Sequence, residues 1–369
     1  MNVTGLTMHV IEMELKSPFV THLETVKRRR GILIEVVDKE GLTGYGEAVA
    51  FTTPWYTEET VQTNFHIIKD VLFSLIAGRE LSHPSEVNQW FEGVRGNRMA
   101  KAAVETAVWD LYSKRQEKPL ADVLCGVRTA VPAGAVAAGA SIAETVSKVE
   151  SLAEQGYERI KVKISPANDL ALLKEIRCHF PDIPLMADAN SAYTLKEASR
   201  LKALDEFQLL MIEQPFAAED IVEHAKLQRM IRTPVCLDES IRSAREAKQA
   251  LELGSCGVIN IKIGRVGGLQ EAKQIHDLCQ ERGVPVWAGG MIEFGVSRAH
   301  NVALATLAGF SIPGDLSPSS HYWEEDVIAP EITVEKGRIA VSSQAGIGYN
   351  LNKRRLQQVT IHKEELTLK

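Results

Sequence analysis

The chain has 369 residues, 45% of them apolar and 24% charged, with a formal net charge of −6. This length exceeds the usual single-core limit, so two domains are the default, one of them large enough to be a barrel. The acidic balance excludes nucleic acid as the main partner, because neutralising phosphates needs a basic surface.

No apolar run reaches the roughly 18 residues that a membrane span requires. The first residues lack the apolar core of a signal peptide. The one basic cluster, Lys27 to Arg30, reads as a solvated turn between strand-like runs. The 5 cysteines are odd in number and form no CxxC pair, which argues against a disulfide framework or zinc site and for a reducing cytoplasm.

In chain order, Met8 to Leu15, Gly31 to Val37 and Leu42 to Ala48 read as a β-meander turning at Asp38-Lys39-Glu40-Gly41. From Glu58 to Leu124 the pattern becomes helical. This predicts an α+β domain over 1–125. After Gly126, short apolar strands alternate with amphipathic helices, the pattern of a parallel sheet with helical crossovers over 126–325. The strands are Arg159–Ile164, Pro184–Ala187, Leu209–Ile212, Val235–Leu237, Val258–Ile261 and Pro285–Trp287. A doubly wound open sheet would give the same alternation; the strand ends favour a (β/α)8-type barrel.

Each of five successive strands closes on a charged residue: Lys163, Asp188, Glu213, Asp238 and Lys262. They stand 25, 25, 25 and 24 residues apart. Charged groups at every carboxyl end converge on one spot only in a closed ring, where barrel active sites lie. A single such charge is most simply a helix cap; a periodic series is not. Asp188, Glu213 and Asp238 offer hard anionic oxygens, which suit Mg2+, with Mn2+ as the alternative, over Zn2+. Lys163 and Lys262 flank this trio as acid/base candidates. Lys161 and Lys163 share one strand face, so each should lower the other's pKa. Arg265 either tunes Lys262 or caps a carbonyl. These types suit removal of a proton next to a carboxylate, the metal stabilising the enediolate that forms.

Lys161-Val162-Lys163, Asp188-Ala189-Asn190, Glu213-Gln214-Pro215, Asp238-Glu239-Ser240 and Lys262 together resemble the enolase superfamily, muconate-lactonising subgroup. Ser17-Pro18-Phe19, Pro54-Trp55-Tyr56, the run MADANSAYTL from Met186, Gly289-Gly290-Met291 and Ser319 to Trp323 narrow this to its o-succinylbenzoate synthase / N-succinylamino acid racemase group. The superfamily's lysine base and Mg2+ are a known pattern.

The resemblance implies Lys163 and Lys262 as the catalytic pair and Asp188, Glu213 and Asp238 as metal ligands. Lys161, Arg265, Asn190 and Glu239 would support them. Phe19, Trp55, Tyr56, Gly290, Met291 and Ile292 would contact a small carboxylate substrate with a succinyl tail, although Phe19, Trp55 and Tyr56 also fit a plain core role. The first domain would cap the barrel, and 326–369 would return to it, with strands near Ile332 and Arg338. The implied reaction is dehydration of 2-succinyl-6-hydroxy-2,4-cyclohexadiene-1-carboxylate to 2-succinylbenzoate, a step of menaquinone synthesis, with N-succinylamino acid racemisation as a second activity.

Two departures stand out: Pro132–Gly139 has no hydroxyl where a substrate-contacting serine is expected, and Cys125-Gly126 replaces a glycine pair. Rival readings are N-acylamino acid racemase as the main role, muconate cycloisomerase, dipeptide epimerase (for which Asp315 supplies an acid) and a non-catalytic metal-binding scaffold. A homo-oligomeric state is left open.

Overall fold

The computed structural model describes residues 1–20 and 24–368. The N-terminal domain is a 4-stranded antiparallel sheet in the order Thr360–Thr367, Val3–Val20, Thr25–Asp38, Thr43–Ala48. The helix Arg98–Arg115 lies on one face of it. Contact is close because the third strand carries glycine: a Cβ on Gly46 would stand 2.0 Å from the Ala103 carbonyl oxygen. The buried face of the sheet (Leu6, Met8, Ile32, Ile34, Val36) meets Ala103, Val104 and Ala107 of the helix to form the domain core.

The basic cluster is not a turn. Residues 27–30 lie inside the strand Thr25–Asp38, where alternation sends neighbouring side chains to opposite faces. Arg28 and Arg30 pair with Glu14 and Glu12 across the sheet. Arg29 turns inward and is 1% exposed.

The second domain holds 7 parallel strands in strict chain order: Ala135–Ala137, Ile160–Lys163, Leu185–Asp188, Ile212–Glu213, Val235–Leu237, Val258–Ile261 and Val286–Ala288. The edges of this sheet are joined. Asp315 N–H donates to the Ala288 carbonyl at 2.9 Å and Gly134 N–H to the Gly314 carbonyl at 2.6 Å, so Gly314-Asp315 occupies the remaining place in the ring. This closure excludes the open doubly wound sheet. Helices such as Asp169–His179, Ala244–Leu253 and Leu269–Glu281 wrap the outside, burying one stripe each. Ser243 caps the second of these by accepting Glu246 N–H.

Inside the ring, Met186, Met211, Cys236, Val258 and Trp287 form a separate apolar plug. Met186, Met211 and Cys236 each precede a strand-end carboxylate by two residues, so they point inward directly beneath Asp188, Glu213 and Asp238. The floor of the site is therefore apolar and buried.

Two carboxylates from the first domain cap helices of the second. Glu47 accepts Phe294 and Ser297 N–H, each at 2.8 Å, and Glu105 accepts Leu269 N–H at 2.8 Å and Gln270 N–H at 2.9 Å. Both are buried, and both satisfy otherwise orphaned helix N-terminal donors. Near the C-terminus, the expected strand at Ile332 is irregular backbone, and Arg338–Ala340 pairs with Ala130–Pro132 beside the barrel. The stretch that joins the capping sheet is Thr360–Thr367, paired with the first strand.

Candidate active site

Lys163 pairs in register with Asp188, and Asp188 with Glu213, on neighbouring strands, which puts their side chains at one level of the ring. Lys163 and Lys262 follow strands four places apart, so they face each other across the barrel mouth. A cavity of about 380 Å³ opens between this mouth and the first domain. That volume suits a small metabolite.

Of the residues singled out from sequence, Lys161, Lys163, Asp188, Asn190, Asp238 and Lys262 line the cavity. So do Phe19, Trp55, Tyr56, Gly290, Met291 and Ile292. Glu213, Glu239 and Arg265 stand behind its wall. Cysteine, histidine and hydroxyl nucleophiles are absent from the strand-end series itself.

Lys163 Nζ donates to Asp188 at 2.6 Å and to Asn190 Oδ1 at 2.7 Å. Its side chain is 26% exposed, so the amine meets the cavity. Lys262 Nζ donates to Asp238 at 2.8 Å and to the Tyr56 hydroxyl at 3.0 Å, and lies 4.7 Å from the Tyr56 ring centre. Burial works against the Lys262 charge, yet Asp238, Tyr56 and Glu239 together outweigh it and hold the ammonium above the ordinary lysine range. Gly289 is glycine because a Cβ there would press within 2.8 Å of Lys262 Cε.

The mutual lowering expected for Lys161 and Lys163 does not govern Lys161. Burial disfavours its ammonium, but Asp315, Glu213 and Asp188 outweigh burial and push its pKa well above the usual value. Lys161 is thus a fixed cation with three carboxylate neighbours. Arg265 ion-pairs with Asp238, its charge works against the raised pKa of Lys262, and it donates to the carbonyls of Ile241 at 2.7 Å and Asn260 at 2.5 Å.

The carboxylates are crowded. Burial and the charges of Asp188, Asp238 and Asp315 push Glu213 up to about 8, although Lys161 opposes this. Burial is likewise the main cause lifting Glu239 to about 7, and one of its buried carboxylate oxygens has no hydrogen-bond partner. For Asp188, Lys163 and Lys161 overcome burial and hold it down to about 2. Among the described residues no three acidic, histidine or cysteine side chains have their donor atoms already gathered around one point. The reason is visible: Lys161, Lys163, Lys262 and Arg265 hold the oxygens. The all-oxygen donor set of Asp188, Glu213 and Asp238, with the unpartnered Glu239 carboxylate oxygen next to it, nevertheless fits a hard divalent cation.

Several lining residues escaped the sequence reading. Phe51 packs on Trp55 with ring centres 4.6 Å apart, completing an aromatic wall with Tyr56. Val136, Leu152 and Tyr157 form an apolar side, and Gly134-Ala135 from the hydroxyl-free segment lies among the lining residues. Arg159 is fully buried and donates to Asp315 at 2.7 Å. The signal for Arg159 was its alternation with Lys161 and Lys163 on one strand face.

The family model "Mandelate racemase / muconate lactonizing enzyme, N-terminal domain" matches residues 4–125, and "Enolase C-terminal domain-like" matches residues 144–355. An o-succinylbenzoate synthase from Geobacillus stearothermophilus is 54% identical over 360 residues, 97% of this chain and 96% of that protein. An N-succinylamino acid racemase from Thermus thermophilus is 43% identical over 362 residues, 98% of each chain. The crystal structure of an enolase superfamily member from Listeria innocua superposes with a TM-score of 0.98 at 40% identity, covering 100% of both chains.

Proposed function

The chain belongs to the mandelate racemase / muconate lactonizing enzyme family of the enolase superfamily, and on that premise we propose that it dehydrates 2-succinyl-6-hydroxy-2,4-cyclohexadiene-1-carboxylate to 2-succinylbenzoate. The observation that carries the reading is the pair of lysines, Lys163 and Lys262, facing each other across one cavity with the acidic strand ends between them.

Asp188, Glu213 and Asp238 would hold Mg2+, which when bound supplies positive charge beside the substrate carboxylate where the enediolate develops. Lys163, whose amine meets the cavity, is the base. It takes the proton from the carbon bearing the carboxylate; the bonding pair becomes the enediolate. The resulting Lys163 ammonium then gives that proton to the departing hydroxyl on the same face, releasing water and leaving the aromatic ring. Lys262, beside the Tyr56 ring, faces the enediolate from the other side. Lys161 stays charged and binds anionic oxygen. The packed rings of Phe51, Trp55 and Tyr56 give the cavity an apolar wall.

Racemisation of an N-succinylamino acid is the second activity, favoured by one observation: Lys262 also reaches the cavity and could return a proton from the opposite face. The Asp315 carboxylate speaks against a dipeptide epimerase. Arg159 and Lys161 each hold one of its oxygens and offset its charge, which weakens its pull on a substrate ammonium. We assign the dehydration to menaquinone synthesis. No helix among the described residues is long and apolar enough to cross a membrane.

The test is to assay the purified protein with Mg2+ for release of 2-succinylbenzoate. In parallel, deuterium wash-in is followed at the α-carbon of both N-succinylamino acid enantiomers. Dehydration with slower exchange supports dehydration as the main activity and racemisation as the second. Efficient exchange without dehydration reverses that order.

A further inference from the structure

We propose that Arg29 is a positioning residue that clamps the barrel loop Gly290–Ile292 to the aromatic wall of the capping domain, and so sets the shape and affinity of the substrate cavity. The proposal builds on the dehydration reading but is tested partly without substrate. Arg29 does not line the cavity itself. It works through what it holds.

Its guanidinium is buried, and among the described residues no carboxylate accepts a hydrogen bond from it. It donates instead to four backbone carbonyls. Nε reaches Ile292 O at 3.2 Å, Nη1 reaches Ala50 O at 2.7 Å and Arg30 O at 2.5 Å, and Nη2 reaches Val49 O at 2.5 Å. A cation without an ionic partner is expensive to bury, and burial draws this one down to about 10 even with Glu47 and Glu293 nearby. An apolar residue would fill the space without that cost. What it could not do is satisfy carbonyls of two domains with one planar group.

Both things that Arg29 holds bear on the cavity. Ile292 has φ +54°, a left-handed conformation that β-branched residues avoid and that persists only when the surroundings enforce it. The enforcing contacts converge on this loop. Arg29 takes the Ile292 carbonyl, the Glu293 carboxylate accepts Met291 N–H, and Glu47 accepts Phe294 N–H. Gly289, at the start of the same loop, leaves no room for a side chain: a Cβ there would stand 2.3 Å from Asn260 Oδ1 and 2.8 Å from Lys262 Cε. On its other side the guanidinium lies 4.3 Å from the Phe51 ring centre, and Phe51 packs on Trp55 and Tyr56. Tyr56 in turn accepts from Lys262. One side chain therefore ties together both walls that flank Lys262.

The experiment compares Arg29→Lys and Arg29→Met with the wild-type chain by amide hydrogen exchange and steady-state kinetics. Amides of 289–294 and 51–56 should exchange about 10-fold faster or more, while those of the helix Arg98–Arg115 keep their protection. KM should rise about 10-fold with kcat within about 3-fold, because cavity shape is lost while the reacting groups remain. Ile292→Gly relieves the left-handed backbone, so adding Arg29→Lys to it should change loop exchange little. Unchanged loop exchange in Arg29→Lys overturns the proposal. So does acceleration spread over the whole chain, or a loss of kcat with unchanged KM. If Arg29→Met does not fold, Arg29→Lys carries the test alone. A wild-type chain that fails to dehydrate would sink the functional reading, but the exchange result would still decide the role of Arg29.

Discussion

Lys161 and Asp315 are ion-paired at the barrel mouth, Lys161 on the second strand and Asp315 on the segment that closes the ring. Asp315 also takes Arg159, and both cations lie about one ring-width from Trp287, at 5.1 Å for Lys161 Nζ and 5.2 Å for the Arg159 guanidinium. One carboxylate thus bridges two buried cations at the seam of the barrel, and Asp188 and Glu213 also face Lys161. Its own pKa is driven far down by Lys161 and Arg159 despite its burial.

Asp315→Asn should leave the buried Arg159 without its ionic partner and remove one of the three carboxylates around Lys161, destabilising the fold by about 3 kcal/mol or more, as removal of one partner of a buried pair does. Turnover should fall with it, because Lys161 loses the contact that fixes its direction. Urea melts and kinetics of the purified variant measure both. A variant as stable as the parent would show that the pair is not what closes the seam.

Removing divalent cation should abolish activity, and restoring Mg2+ should recover it. Asp188, Glu213 and Asp238 repel one another, so cation at about 100 times its Kd should also stabilise the fold by about 3 kcal/mol. Glu213→Gln should lose most of that thermal shift. Equal melting with Mg2+ and with chelator would contradict the assignment of these carboxylates.

The strand-end carboxylates and lysines were legible because a barrel repeats one βα unit, and each unit places its last strand residue at the same mouth. Arg29 was hidden for the opposite reason. It sits in an all-basic run whose alternation only pairing with the strand Val3–Val20 reveals. Thr360–Thr367 was equally silent, since as an outer strand it is largely exposed and shows no apolar alternation. The charge of Lys161 was misread from its neighbour Lys163. Side chains from three other segments, Asp188, Glu213 and Asp315, decide it, and no local spacing records them.

Stability should decline as pH rises through neutrality, partly through Glu47. Burial pushes its carboxyl from 4.5 up to about 8, against the two N–H groups it accepts. The folded chain then keeps a proton that the unfolded chain releases, so folding takes up a proton between these values and becomes less favourable as pH rises. Glu105, lifted by burial to about 7, acts in the same direction. Arg29 and Glu293 face Glu47 and are unchanged in Glu47→Gln, which should flatten this part of the profile. Urea melts at about pH 5 and about pH 8 measure it. A wild-type chain that gains stability over that interval would refute the sign.

One lysine carries the dehydration in this mechanism, and two are needed for inversion at the α-carbon. The decisive experiment gives Lys163→Ala and Lys262→Ala the cyclohexadiene substrate and each N-succinylamino acid enantiomer in deuterium oxide. Lys163→Ala should lose dehydration by about 1,000-fold or more. Each variant should still exchange the α-proton of one enantiomer, a different one in each case, while racemising neither. Dehydration that survives in Lys163→Ala, or racemisation that survives in either variant, would contradict the two-lysine mechanism.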